Sequence, residues 1–144
     1  MKKLLSVLVV LIILNSCKKK SNFDMNVYPQ KWELVSIIGN IANTKSLSGD
    51  NLPYKETYTL NKDSSFIKIR INNELTQKAS GTFTIEKFDN YSHFVFKYSI
   101  KNDLIGSCVI IELKEHLTIK SNSNIYNNAW QACDGPVLEY EKVE

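Results

Sequence analysis

The stretch Phe94-Val95-Phe96-Lys97-Tyr98 decides the fold of this chain. Its three aromatic residues occupy alternate positions, and a period of two is typical of a β-strand with one buried face. An aromatic face this dense has to be covered by other parts of the chain. The stretch therefore predicts the centre of a β-sheet core.

The same period of two extends over most of the chain from residue 54 onward, and turn-forming clusters interrupt it at short intervals. The predicted strands cover residues 31–38, 54–60, 66–71, 75–87, 91–100, 108–113, 117–119 and 137–143, with a loop over 121–128 and one helical turn near Trp130. Seven or eight short antiparallel strands predict an all-β barrel or sandwich. Because the last strand ends beside the C-terminus, we expect it to pair with the first and close an up-and-down barrel.

The N-terminal segment has the organisation of an export signal. Lys2 and Lys3 precede an apolar run of 11 residues from Leu4 to Leu14. A helix of that length rises only about 16 Å, roughly half of the ~30 Å hydrocarbon core of a bilayer. We therefore expect the run to act as a signal peptide and not to persist as a membrane span.

The residues that end this run, Leu14-Asn15-Ser16-Cys17, resemble the lipobox of bacterial lipoproteins. The resemblance implies that the Cys17 thiol takes a diacylglyceryl group, that residues 1–16 are removed, and that the new amino group receives a fatty acid such as palmitate. An ordinary secretory signal cut near Ser16 is the alternative. Several acyl chains on one residue make a stable membrane anchor.

The resemblance to a lipobox at Cys17 sets the expected division of the chain into segments. A signal peptide covers residues 1–16, the lipidated cysteine and a tether cover 17–27, and one barrel domain covers 28–144. The chain is expected in the cell envelope, anchored to a bacterial membrane that is taken to be the outer membrane. No acidic run follows Cys17, which favours the periplasmic face.

The positive charge of the chain is concentrated near its N-terminus. The whole sequence has 18 basic and 15 acidic residues, but five of the lysines lie within the first 20 positions, which leaves 13 basic against 15 acidic residues beyond them. Lys18 to Lys20 fit either an anionic membrane surface or a solvated tether. A nearly neutral domain argues against nucleic acid as a partner.

With Cys17 assigned to the anchor, Cys108 and Cys133 remain. An even pair in an exported protein predicts a disulfide, and two buried free thiols are the alternative. His93 and His116 could in principle complete a zinc site with them. The sequence lacks the closely spaced Cys or His pair that such sites use, so no metal or cofactor is predicted.

Beyond residue 28 the chain resembles the lipocalin-like lipoprotein domains of Gram-negative bacteria. The segments that carry the resemblance are Gln30-Lys31-Trp32-Glu33-Leu34, the hairpin from Tyr58 to Phe66, Gly81-Thr82-Phe83-Thr84-Ile85, Ala132-Cys133-Asp134-Gly135-Pro136 and Tyr140-Glu141-Lys142-Val143. The resemblance implies an up-and-down barrel with an interior cavity and a basic residue, here Lys142, packed on Trp32. Lipocalins usually have Gly where this chain has Gln30.

The predicted function is the binding of a small apolar or amphipathic ligand inside the barrel. The candidate cavity residues are Trp32, Phe83, Phe94, Phe96 and Tyr98. A small barrel can hold one ligand or fill its interior with side chains, and these aromatics fit a pocket or a plain core. The loop over residues 40–53 is expected at the open end as a lid.

The alternative is a non-enzymatic interaction or inhibitor module of the envelope that uses the barrel as a scaffold; its protein partner is not identified. An enzyme is not expected, because no nucleophile elbow or phosphate-binding Gly-rich loop is present. The carboxylate pairs Glu112/Glu115 and Glu139/Glu141 are expected on solvated faces.

Overall fold

The computed structural model describes residues 24–39, 45–88, 90–109 and 112–143, and within them the chain is all-β. Cys17 and the three lysines after it lie outside the described residues. The described part contains nine β-strands: β1 Gln30–Ile38, β2 Leu47–Ser48, β3 Lys55–Leu60, β4 Ser65–Asn72, β5 Leu75–Phe88, β6 Tyr91–Tyr98, β7 Lys114–Ser121, β8 Asn124–Asn127 and β9 Val137–Lys142. Two 3₁₀ turns accompany them, Gly49–Asn51 and Ala129–Cys133. No helix among these residues is long and apolar enough to cross a membrane.

Eight of these strands form a closed antiparallel barrel, and β2 is a short addition on β1. β3 pairs with β1, and consecutive strands from β3 to β9 pair with each other in up-and-down order. The barrel closes where β9 pairs with β1, from Trp32 opposite Lys142 to Ile38 opposite Val137. The predicted pairing of the last strand with the first is therefore confirmed, and with it the lipocalin-like barrel architecture.

The alternation of side chains along each strand builds one continuous core inside the barrel. In β6, Phe94, Phe96 and Tyr98 point inward, as the period of two predicts. The fully buried apolar side chains of the other strands meet them there: Trp32, Tyr58, Leu60, Phe66, Leu117, Ile125 and Tyr140.

Gly81 allows the longest strand, β5, to run close to its neighbours. A Cβ atom at this position would lie 2.0 Å from the carbonyl oxygen of Lys97 on β6 and 2.9 Å from the ring of Phe66 on β4. Only glycine fits between these two strands without displacing backbone.

The sequence predictions for residues 108–128 are wrong in three respects. None of the described residues within 108–113 lies in a strand, and residues 114–116, which separate two predicted strands, are instead the start of the continuous strand β7. The predicted loop over 121–128 contains β8. Leu113 has a positive φ of 51°, which ends the loop before β7, and tertiary pairing with β9 makes β8 a strand despite its polar sequence. The helical turn near Trp130 is confirmed.

The segment of residues 99–109, which we name the plug loop, enters the barrel at the end where β6 finishes and β7 begins. Leu104 and Ile105 at its centre are buried and belong to the hydrophobic core. A disulfide joins Cys108 in the plug loop to Cys133 in the second 3₁₀ turn. The predicted pairing of these two cysteines is confirmed, and it fastens the plug loop to the segment that leads into β9.

Candidate functional site

The five predicted cavity residues come together inside the barrel and pack on one another. The ring centroid of Phe94 lies 6.0 Å from Trp32, 5.9 Å from Phe83 and 5.9 Å from Phe96. All five side chains, including Tyr98, are at most 5% exposed. They line neither of the two cavities described below, and their mutual packing matches the core alternative.

Trp32 is fixed by polar contacts at the end of the barrel where β1 begins. Its indole N–H donates to Oε1 of the buried Gln30 at 3.1 Å, and the Gln30 amide donates to the carbonyl oxygen of Met25 at 2.5 Å. The Lys142 ammonium lies 6.0 Å from the Trp32 ring centre, a cation–π contact of the expected kind. Gln30 thus uses its side chain to hold the tryptophan at the position where lipocalins usually have glycine.

The opposite end of the interior contains a set of buried charged and polar side chains, which we name the buried polar network. Its members come from six strands: Glu56 on β3, Lys68 and Arg70 on β4, Tyr98 on β6, Glu115 on β7, Asn127 on β8 and Tyr140 on β9. The two carboxylates and two cations balance in charge. The side chains of Glu56, Lys68 and Glu115 are fully buried, and that of Arg70 is 20% exposed. Burying such charges is costly unless each one is paired and hydrogen-bonded.

Lys68 is the centre of this network. Its ammonium lies 3.2 Å from a carboxylate oxygen of Glu56 and 3.2 Å from one of Glu115, and both side chains of each pair are fully buried. It also donates to the carbonyl oxygen of Leu104 in the plug loop at 2.6 Å. The ring of Tyr58 lies 4.7 Å below the ammonium. One cation therefore ties two strands and the plug loop together.

Glu56 is held as a carboxylate by its partners. Arg70 donates to Oε2 at 2.5 Å, and the Tyr140 hydroxyl donates to Oε1 at 2.6 Å. Burial alone would raise the pKa of Glu56, but the positive charges of Lys68 and Arg70 outweigh it and hold the pKa below its usual value. The same burial raises the pKa of Tyr140 well above the usual value, so this phenol is a hydrogen-bond donor.

Glu115 joins the network to the plug loop from the other side. It accepts hydrogen bonds from the Tyr98 hydroxyl and from the Asn127 amide, the latter at 2.6 Å. That amide also donates to the carbonyl oxygen of Gly106 at 2.8 Å. A Cβ atom at Gly106 would lie 2.3 Å from both Glu115 and Asn127. The plug loop therefore approaches the network too closely for a side chain at this position.

The expectation that Glu115 lies on a solvated face is wrong, because the side chain is fully buried. The period of two in β4 identifies the strand, but its isoleucines and its alternate residues from Phe66 to Arg70 compete for the inner face. Phe66, Lys68 and Arg70 share the inner face, whereas the alternating isoleucines face outward and Ile71 is exposed. Phe66 was the available signal, because a fully apolar aromatic residue at the start of the strand marks the inner face.

A cavity of about 720 Å³, which we name the wedge cavity, opens between β1 and β3. These strands pair only from Gln30 opposite Leu60 to Glu33 opposite Thr57. Further along, β1 pairs with β2 instead, at Ser36 and Ile37. The strands diverge there, and the space between them is lined by Leu34, Val35, Leu52 and Ile71, by Glu33, Asp50 and Glu56, and by Gly49, Lys55 and Thr57.

The wedge cavity is bounded by the buried polar network and by part of the loop over residues 40–53. Glu56 of the buried polar network lies at its inner side, although this side chain is only 1% exposed. Another wall is formed by Gly49, Asp50 and Leu52, from the loop that was expected at the open end of the barrel. The cavity combines four aliphatic side chains with a few charged groups, a composition typical of small-molecule sites.

The two histidines and Glu112, which the sequence analysis weighed as metal-binding or acid–base residues, lie on the outside of the barrel. His93 and His116 flank the ring of Phe88, and burial together with the charge of His116 lowers the pKa of His93. Glu112 is exposed and forms a 3.3 Å ion pair with Lys114. Because the two barrel cysteines form a disulfide, neither is a free thiolate that could join the histidines at zinc.

Comparison of the chain with models of protein families, with curated proteins and with solved structures finds no match.

Proposed function

We propose that this chain is a membrane-anchored, lipocalin-like barrel that binds a small amphipathic ligand in the wedge cavity. The observation that supports the proposal is the divergence of β1 from β3, which leaves about 720 Å³ of space against the barrel wall. That volume lies within the usual range of about 300–1,000 Å³ for small-ligand sites. The core aromatics remain a packed support behind it.

The lining indicates what kind of ligand fits. Leu34, Val35, Leu52 and Ile71 offer an apolar surface for a hydrocarbon part. Of the three carboxylates in the lining, Glu33 pairs with Lys31 at 2.9 Å, and Glu56 pairs with Lys68 and Arg70 behind the cavity wall. An anionic head group would therefore meet one cation of the lining, Lys55, beside the carboxylate of Asp50, which favours a neutral or cationic head group.

The proposed anchor would hold this site where such ligands are found. In the proposed mature form Cys17 carries the acyl chains, and fewer than 15 residues separate it from the start of β1 at Gln30. A short tether keeps the wedge cavity close to the bilayer surface, where amphipathic molecules concentrate. The proposed location is the periplasmic side of the outer membrane.

Direct binding measurements with two matched fluorescent probes test the proposal. The purified full-length chain in detergent is titrated with a dansyl-labelled twelve-carbon amine and with the dansyl-labelled acid of the same length. We expect saturable binding with blue-shifted emission for the amine and weaker binding for the acid. Val35→Trp places a large side chain in the cavity wall and should weaken amine binding by about tenfold, equivalent to ~1.4 kcal/mol.

Ile85→Trp is the matched control, since Ile85 is another partly exposed β-branched residue and lies outside the wedge cavity. It should bind the amine as the wild type does. If neither probe binds, or if Val35→Trp binds the amine unchanged, the ligand proposal is wrong. The interaction module of the envelope would then be the better description of the barrel.

A further inference from the structure

A second concave surface, which we name the outer groove, lies on the outside of the barrel over β6, β7 and β8. Its volume is about 700 Å³. Of the 12 residues that line it, seven have neutral amide or hydroxyl side chains, two are tyrosines, and Lys120 is the one charged residue among these described positions. The outer groove thus differs from the wedge cavity in charge, because its lining has one charged side chain and that of the wedge cavity has four.

Tyr126 is held in a fixed orientation in this groove. Its hydroxyl donates to Oε1 of Glu139 at 2.6 Å, and the Lys120 ammonium lies 4.8 Å from the ring centre. Two contacts from neighbouring strands therefore fix the ring before any ligand arrives. A ring whose orientation is already set loses little conformational entropy on binding.

Tyr91 is the second aromatic residue of the groove, and it is 62% exposed. Its exposed ring lies beside a concave surface lined mainly by amide and hydroxyl side chains, so a ring of a ligand in the groove can stack on it. The amides of Asn122, Asn128 and Gln131 lie in the same lining. Each amide group supplies both donors and an acceptor.

We propose that the outer groove binds a neutral oligosaccharide. Sugar hydroxyls are donors and acceptors at once and match side-chain amides and hydroxyls, while the C–H face of a sugar ring can stack on tyrosine. An anionic ligand would need several cationic side chains, and the lining offers one. This site is independent of the wedge cavity.

In the test, the purified full-length chain is titrated with chitotetraose, cellotetraose and maltotetraose. Calorimetry measures the affinity, and NMR identifies the residues whose resonances shift. We expect saturable binding of at least one of them, with shifts of resonances from Tyr91 and Tyr126. Tyr91→Ala should weaken that binding by about fivefold or more, since aromatic stacking typically contributes that much. Tyr91→Phe keeps the ring and should retain most of the affinity.

Phe88→Ala is the control, because Phe88 is also an exposed aromatic residue near the same end of the barrel but does not line the groove. It should bind the saccharide as the wild type does. Absence of binding by all three tetrasaccharides overturns the proposal, as does equal affinity in Tyr91→Ala. If the neutral tetrapeptide Ser-Gly-Ser-Gly binds more tightly than every saccharide, the groove is a peptide site and the proposal is also wrong.

Discussion

The ammonium of Lys68 lies 2.6 Å from the carbonyl oxygen of Leu104, although the two residues are 36 positions apart in the chain. The contact joins the inner face of β4 to the plug loop. Since the same ammonium also pairs with Glu56 and Glu115, closure of this end of the barrel depends on a buried ion and not on apolar contact alone. Such buried ions can select one arrangement of the chain over others, because a shifted arrangement would leave a charge without its partner.

Replacement of Lys68 by methionine tests this dependence. Methionine keeps the length of the side chain but leaves the carboxylates of Glu56 and Glu115 without their shared cation. Removing one partner of a buried ion pair typically costs about 3–5 kcal/mol, and we expect a loss of that size in the free energy of unfolding. Urea denaturation at pH 7, followed by tryptophan fluorescence, measures it.

Lys97→Met provides the comparison, because Lys97 on β6 is exposed. Its free energy of unfolding should stay within about 0.5 kcal/mol of the wild type, as is usual for surface substitutions. A similarly small change for Lys68→Met would show that the network does not contribute to stability in the way its geometry suggests.

The barrel itself could be predicted from local pattern, and the buried polar network could not. Alternation in β3 and β6 identifies strands whatever the rest of the chain does, and the position of β9 indicates closure. Glu115 was expected on a solvated face, and nothing in the local sequence marks it as a partner of Lys68, because the partners of these charges lie on distant strands. Only the tertiary structure brings the opposite charges together, and their pairing offsets the cost of removing them from water.

The wedge cavity could not be predicted from the sequence either, but for a different reason. It exists because β1 pairs first with β3 and further along with β2. The strand β2 consists of only two residues, Leu47 and Ser48, and is too short to show a periodic pattern in the sequence. The five core aromatics, by contrast, form a strong pattern. Sequence alone could not distinguish a filled interior from an empty one, because both need apolar side chains on the inner face.

Acidification should weaken the fold through Glu56. The folded state holds the pKa of this carboxyl below the unfolded value of about 4.3, so the unfolded chain binds more protons between the two values. The resulting contribution to stability is present above about pH 4.3 and is lost as the pH falls through the folded pKa. We expect the free energy of unfolding, measured in urea from pH 7 to pH 3, to fall over that range.

Glu56→Gln removes this titrating group. The variant should be less stable at pH 7, because Arg70 and Lys68 lose an ionic partner, and its stability should fall less steeply on acidification. Glu141→Gln, at an exposed position on β9, serves as the control and should keep the wild-type slope. An acid profile of Glu56→Gln as steep as that of the wild type would contradict the assignment.

The disulfide between Cys108 and Cys133 should stabilise the barrel by restricting the unfolded chain. The two cysteines are 25 positions apart, and closing a loop of that size contributes about 3 kcal/mol in the chain-entropy model. We expect the double variant Cys108→Ala/Cys133→Ala to lose that amount in urea denaturation. Mass mapping without reductant should recover the two cysteine peptides joined, and alkylation of both thiols in the oxidised native protein would rule the bond out.

Cys17→Ala tests the proposed membrane anchor. The wild-type chain, expressed in a bacterial host and labelled metabolically with radioactive palmitate, should incorporate label and sediment with the membrane fraction. Cys17→Ala should incorporate none and should leave the membrane fraction, because the acyl chains supply the stable attachment and Lys18 to Lys20 alone contribute only about 1 kcal/mol each on an anionic surface. Cys133→Ala is the matched control, since it removes another cysteine of the chain and should retain the label. Label that persists in Cys17→Ala would place the acylation elsewhere, and a wild-type chain that sediments without label would show that the membrane holds it by another means.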